Sequence, residues 1–191
     1  MPLTIWLIRH GQTEWSLSGA HTGRTDLPLT DAGRRNAIAV GRWLAGREFS
    51  LVLTSPLSRA RETCRLAGYG DAAQIDANLC EWDYGNYEGR TTADIRKGLP
   101  EWSLWRDGPL HGETIEQVGV RAEAVLARVS QSAGDVALFA HGHILRILTA
   151  RWLGLPSDCG RMFALSTASV STLGYERDTR VISLWNLTVG E

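Results

Sequence analysis

The side chains in this sequence best suited to chemistry stand at the ends of its apolar runs. "LTIWLI", Leu3 to Ile8, leads straight into Arg9 and His10. "FSLVLT", Phe49 to Thr54, is followed by Ser55 and, four residues later, Arg59. "DVALFA", Asp135 to Ala140, leads to His141 and His143. A guanidinium presents a planar fork of N–H donors that fits a phosphate and orients its phosphorus. A neutral imidazole is a competent nucleophile, where a lysine in its place is normally protonated. Nearby arginines favour that neutral form at His10. Arginine to hold a phosphoryl group and histidine to attack it is the chemistry these types suggest.

Each feature taken alone has an ordinary explanation. An Arg-His pair can be a polar exit into a loop, Ser-Pro before a helix can be simple capping, and His141 with His143 could be half of a metal site. The metal reading lacks a cysteine or carboxylate partner nearby in sequence. What outweighs these explanations is that three distant runs end in the same way.

The elements that must bring them together follow from periodicity. The three runs read as buried strands, each followed by a helical pattern. Thr30 can cap "DAGRRNAIAVGRWLAG", with Ala37, Trp43 and Leu44 near one face. Ser55-Pro56 reads as the opening of "LSRARETCRLA", which puts Arg59 in a first helical turn whose free amides attract an anion. A helix is expected from Thr114 to Ser130, with Ile115, Val118, Ala122, Val125 and Val129 on one stripe and a Thr114/Gln117 capping box. "HILRILTARWLG" closes at Gly154 and Pro156, and "SVSTLGYERDTRVISLWNL" reads as a β-hairpin. The fold class is α/β, three layers with helices on both sides of a mostly parallel sheet. Such sheets bind ligands beyond the carboxyl ends of their strands, where the three groups of side chains fall. Gly11 and Gly142 are expected to let a phosphate or a histidine approach the backbone.

Glu81 is the candidate proton carrier. Trp82, Tyr84 and Tyr87 surround it in "LCEWDYGNYEG", an aromatic setting expected to raise a carboxyl pKa. A protonated Glu81 would donate to a leaving oxygen and later take a proton from attacking water. Glu88 and Asp83 read as solvated rivals.

Composition sets the remaining bounds. The 191 residues suggest one domain, 1–191, and their net charge of -1 gives no global attraction to nucleic acid or an anionic membrane. Three cysteines, Cys64, Cys80 and Cys159, are odd in number and not closely paired, which fits a reducing compartment. No stretch approaches the roughly 20 apolar residues of a membrane span, and the first run is too short for a signal-peptide core. The expected location is the cytoplasm. Homo-oligomerisation stays open.

Taken in order, "LIRHGQTEW", "TGRTDLPLTDAGRRNA", "LTSPLSRARET", "EWDYGNYEG", "GET" and "FAHGH" resemble the signatures of the histidine phosphatase superfamily, also called phosphoglycerate-mutase-like. The resemblance runs from Leu7 to about Leu155. It implies that His10 is the phosphorylated nucleophile, that Arg9, Arg59 and His141 hold the phosphoryl group, and that Glu81 is the proton donor, with no metal or other cofactor. It also implies substrate contacts at Thr22 and Gly23, and at Ser16, where the mutases usually carry asparagine. "EWSLSGAHTGRTDLPLT" and "WRDG" look most like the sedoheptulose-bisphosphatase-type sugar phosphatases, so the implied partner is a small phosphorylated sugar. Mutase, phosphoprotein phosphatase and non-catalytic binding module are the alternatives. Tyr84, Arg106, His143 and Arg146 are further substrate-binding candidates. Arg24, Arg90 and His111 join Arg106, His143 and Arg146 as cations for a second anionic group. Trp102 and Trp105 could wall the pocket or anchor a loop.

Overall fold

Strict alternation along the first strand sorts its side chains between two cores. In this computed structural model, which describes residues 3–190, β1 (Ile5–Arg9) sends Ile5 and Leu7 to one face and Trp6 and Ile8 to the other. A strand buried on both faces must be covered by helices on both, which is the usual setting of a parallel sheet.

In chain order the elements are β1, α1 (Glu14–Ser18), α2 (Asp31–Leu44), β2 (Leu51–Thr54), α3 (Ser58–Leu66), β3 (Ala73–Ile75), α4 (Thr92–Arg96), α5 (Leu104–Asp107), α6 (Ile115–Val129), β4 (Val136–Ala140), α7 (Gly142–Trp152), β5 (Ser169–Glu176) and β6 (Thr179–Thr188), with short 3-10 turns between them. The sheet order is β3-β2-β4-β1-β5-β6. β3, β2, β4 and β1 run parallel, while β5 and β6 add an antiparallel hairpin at one edge. The mostly parallel α/β sheet expected from the sequence is therefore present.

One face carries α6 and α7: Val118, Ala122, Val125 and Val129 pack with Ile144, Leu148 and Trp152 on Ile5, Leu7, Leu53 and Leu138. The other carries α2 and α3, whose Val40, Leu44 and Cys64 pack on Ile8, Val52 and Phe139. The caps at Thr30 and Thr114 form as expected, the second with its reciprocal Gln117 bond. Two local expectations fail. Trp43 is not on the buried face of α2 but on the surface, tilted against Trp6 beside Arg47. Ser55-Pro56 does not cap α3, which starts two residues after the proline with no side-chain cap of its own. Asp26 does that work from outside, accepting from the Ser58 amide and hydroxyl at 2.8 and 2.7 Å.

Candidate active site

Strand register alone sets two histidines side by side. Arg9 of β1 is paired with Ala140 of β4, so the residues that follow, His10 and His141, leave the sheet together, their rings 5.1 Å apart. β2 pairs Thr54 with Phe139, which delivers Ser55 beside them. The Ser55 hydroxyl lies 2.7 Å from His141 Nε2.

The tautomers follow from the bonds. His10 Nδ1 is 2.7 Å from the Gly11 carbonyl oxygen, which can only accept. That nitrogen carries the proton, and Nε2 is left with a lone pair. Burial first, then the charges of Arg9 and Arg59, push the His10 pKa down to about 3. In His141 the acceptor is Nδ1, which takes a bond from Arg59 Nε at 3.1 Å, so Nε2 donates to Ser55. Burial, then Arg59 and His10, hold this ring well below the usual imidazole range too.

Arg9 and Arg59 differ in their freedom. Arg9 lines the crevice, donates through Nη1 to the Leu165 carbonyl, and has a buried Nε with no hydrogen-bond partner. A Cβ on Gly142 would stand 3.4 Å from its Cζ and Nε, an ordinary contact, so the guanidinium lies against this glycine without requiring it. Arg59 is fully buried and already donates to His141 and to the carbonyls of Thr22, Gly23 and Thr25. It holds the loop that follows α1. Glu88, read from the sequence as solvated, is the second support of that loop, accepting from the Gly23 and Thr25 amides at 2.8 and 3.0 Å. Gly11 likewise serves packing: a Cβ there would lie 2.4 Å from the Gly33 carbonyl oxygen.

Glu81 overturns one expectation. Its carboxylate does not sit in an apolar pocket but on the N-terminus of α7, accepting from the amides of His143 and Ile144 at 2.9 Å each and of Trp82 at 3.0 Å. Burial pushes its pKa up, yet the donors on and around His143 outweigh this and hold the carboxyl well below the ordinary range. The burial-lowered pKa of His143 itself means the ring is mostly neutral, so we ascribe the effect chiefly to the amides. In the resting site Glu81 is a carboxylate.

A cavity of about 240 Å³ opens in front of these groups, lined by Arg9, His10, Ser16, His21, Thr22, Glu81, Tyr84, Thr92, His143 and Arg146 among others. A larger recess, about 460 Å³, lies against edge strand β3, away from the histidines. Of the expected substrate contacts, Ser16, Thr22, Tyr84, His143 and Arg146 line the crevice, whereas Gly23 faces a neighbouring cavity. Arg106 does not join them: it is exposed on α5 and paired with Asp107 at 2.8 Å. Arg24 pairs with Asp83 at 2.7 Å, Arg90 packs over Tyr87, and neither they nor His111 line the crevice. The Tyr84 hydroxyl is 2.7 Å from His143 Nδ1. Trp102 and Trp105 back the wall rather than form it. Trp102 meets His21 edge-on, and Trp105 carries Arg146 4.6 Å above its ring.

Sequence reasoning missed His21 and Thr92. His21 lies against Tyr84 at 4.8 Å, and burial, then His143, lower its pKa to about 4. Its position beside Thr22 and Gly23 was the available signal. Among the described residues no group of three or more His, Cys, Asp or Glu could hold a metal ion, and no helix is long and apolar enough to cross a membrane.

A bare imidazole nitrogen and a guanidinium at the carboxyl edge of a parallel sheet are the equipment of an enzyme acting on phosphate esters. The chain belongs to the histidine phosphatase superfamily (branch 1), whose family model matches residues 5–188. It is 40% identical over 188 residues to an acid phosphatase of Mycobacterium tuberculosis, a match covering 96% of this chain and 92% of that one. It is 39% identical over 181 residues to sedoheptulose 1,7-bisphosphatase of Saccharomyces cerevisiae, covering 78% of this chain and 67% of the yeast protein. A solved structure of an open reading frame product from M. tuberculosis matches with a TM-score of 0.92 at 39% identity, covering 98% of each chain. The chain is a phosphatase of this superfamily.

Proposed function

We propose that the enzyme hydrolyses a phosphorylated sugar through a phosphohistidine on His10. The observation that carries this reading is the His10–Gly11 bond, which presents Nε2 as a lone pair beside an arginine with an unmet donor. The ester phosphate meets Arg9, whose buried N–H groups suit the equatorial oxygens on which charge spreads in the transition state. His10 Nε2 bonds to phosphorus as the ester P–O bond breaks, and the departing oxygen takes a proton from Glu81. That carboxyl is ionised at rest, but a dianionic phosphate arriving beside it favours its protonated form. Water then attacks phosphorus, its proton passes to Glu81, and the N–P bond breaks to restore neutral His10. Arg59 and His141 keep the nucleophile and the loop at 22–25 in place, with one Arg59 Nη1 N–H left for the phosphate.

The rest of the crevice suits a small polar leaving group carrying a second anion. His21, Tyr84 and His143 offer an aromatic wall, and Arg146 supplies a cation, its Nε fixed by the Gly160 carbonyl at 3.1 Å. The similarity to a sugar bisphosphatase supports the same class of substrate. The test is a phosphate-release screen over sugar mono- and bisphosphates of three to seven carbons, glycerate phosphates and a phosphotyrosine peptide, with quenched samples analysed by mass spectrometry. Preference for a sugar bisphosphate with phosphate trapped on His10 is expected. Phosphate on another residue rejects the mechanism, peptide preference rejects the substrate class, and exchange between positions faster than release makes the enzyme a mutase.

A further inference from the structure

The segment that carries Glu81 has almost no regular structure, yet its position decides where the carboxyl points. A 3-10 turn ends at Leu79, another starts at Gly85, and the residues between have no helix or ladder to satisfy their backbone groups. One side chain from α6 meets part of that demand. Arg121 donates through Nη1 to the carbonyls of Asn78 and Cys80, both at 2.8 Å, and through Nη2 to the carbonyl of Glu81 at 3.4 Å. Its Nε and remaining Nη2 hydrogen grip the two oxygens of Glu113, each at 2.8 Å. A guanidinium has five N–H donors, and every one is spent here.

Glu113 closes the frame. It belongs to the "GET" stretch, to which no role was assigned above. Its Oε2 accepts from the Asp83 amide at 3.0 Å, its own amide donates to the Asp83 carbonyl at 3.0 Å, and its carbonyl accepts from Trp82 Nε1 at 2.8 Å. Both partners of the ion pair are mostly buried. The residues on each side of Glu81 are thus stitched to α6 and its N-terminal approach, while the Glu81 carboxylate is held on the opposite element, the N-terminus of α7.

We propose that Arg121 and Glu113 are positioning residues for proton transfer: together they set the backbone of Glu81 so that its carboxyl meets the leaving oxygen. Neither lines the crevice in front of His10. The inference rests on the reading of Glu81 as the proton donor. A displacement of the order of 1 Å at such a group can cost about 10²-fold in rate. Lysine at 121 keeps the charge but not the planar fork that reaches three carbonyls and a carboxylate together.

The signature is selective. A sugar alkoxide needs its proton, while 4-nitrophenolate leaves well without one, so misplacing Glu81 should slow alkyl esters more than aryl esters. We expect Arg121→Lys and Glu113→Gln each to lower kcat/KM, which reports transfer to His10 and not the later hydrolysis shared by all esters, at least tenfold for a sugar phosphate and less than threefold for 4-nitrophenyl phosphate. In a Glu81→Gln background Arg121→Lys should cost nothing further on the sugar phosphate. Thermal melts accompany every variant, and Glu113→Gln, an isosteric change, carries the test if Arg121→Lys does not fold. Equal losses on both esters, or no loss in either single variant, overturn the proposal. If Glu81→Gln itself leaves the ratio of the two esters unchanged, the fault lies in the proton-donor reading instead.

Discussion

The imidazole of His10 and the carbonyl of Gly11, the next residue, stand 2.7 Å apart. A backbone oxygen cannot donate, so this one contact decides which ring nitrogen is protonated and which faces the crevice with a free electron pair. The nucleophile we propose is readied by its immediate neighbour, whereas in serine hydrolases a separate base does that work.

The first consequence is a pH profile. With its pKa pushed down to about 3, His10 stays neutral and reactive in mildly acidic solution. Lowering the pH from 7 to about 4 should produce no fall in kcat/KM attributable to protonation of the nucleophile, and His10→Ala should reduce turnover to background throughout. A fall in kcat, which is free of the unbound substrate's own ionisation, with a midpoint near 6.5 would contradict a neutral resting His10.

Stability, by contrast, does depend on acid over this range. The unfolded His21 takes up a proton below about pH 6.5, while the folded ring resists until about 4. Between those values the unfolded chain binds more protons, so stability falls as pH falls, by roughly 3 kcal/mol at this one residue. His21→Phe keeps a ring against Tyr84 but cannot titrate. Its melting temperature should decline less steeply than that of wild type from pH 6.5 to 4, and parallel curves would refute the assignment.

Arg146 tests the second anion. A hydrogen bond to a charged group contributes about 1.5–3 kcal/mol, so Arg146→Ala should lower kcat/KM for a sugar bisphosphate by about 10- to 10²-fold relative to the matching monophosphate. Steady-state kinetics on the pair read this directly. An equal effect on both substrates would place the cation's influence at the reacting phosphate.

Gly11→Ala addresses the packing of the loop. The added methyl meets the Gly33 carbonyl oxygen at 2.4 Å, backbone that a side-chain rotation cannot move. Overpacking of this kind costs about 1–3 kcal/mol, and because Gly11 also anchors His10, kcat should fall together with the urea midpoint. An active variant of unchanged stability would show that the two loops can part freely.

How much of this was legible in the sequence depends on the range of the contacts. β1, β2 and β4 announced themselves because burial on both faces leaves unbroken apolar runs, and their ends disclosed Arg9, His10 and His141. Thr30 and Thr114 were readable as caps because a cap acts within three residues. β3 was invisible: three residues on a sheet edge, with Gln74 and Ile75 exposed, leave no pattern. The Glu81 environment was misjudged for a related reason. Its sequence neighbours are aromatic, but its carboxylate is bonded to amides more than sixty residues away. Glu88 was misread similarly, and the loop carbonyls that Arg59 also holds went unseen, since the amides and carbonyls they serve carry no mark in the residue types. Arg106 shows the reverse error: a cation in a suggestive motif whose partner is the aspartate beside it.

The sheet order has a further bearing on how the molecule is made. β1 precedes both of its neighbours, β4 and β5, in the chain, so Ile5 must wait for Val136 and Leu173. Until then an apolar strand has no partner on either side, the situation in which nascent chains are held by chaperones and in which folding slows with the sequence distance of its contacts. His10 is thus made well before the strands that complete its surroundings, and a chain arrested before β4 would carry it without the histidine at its side.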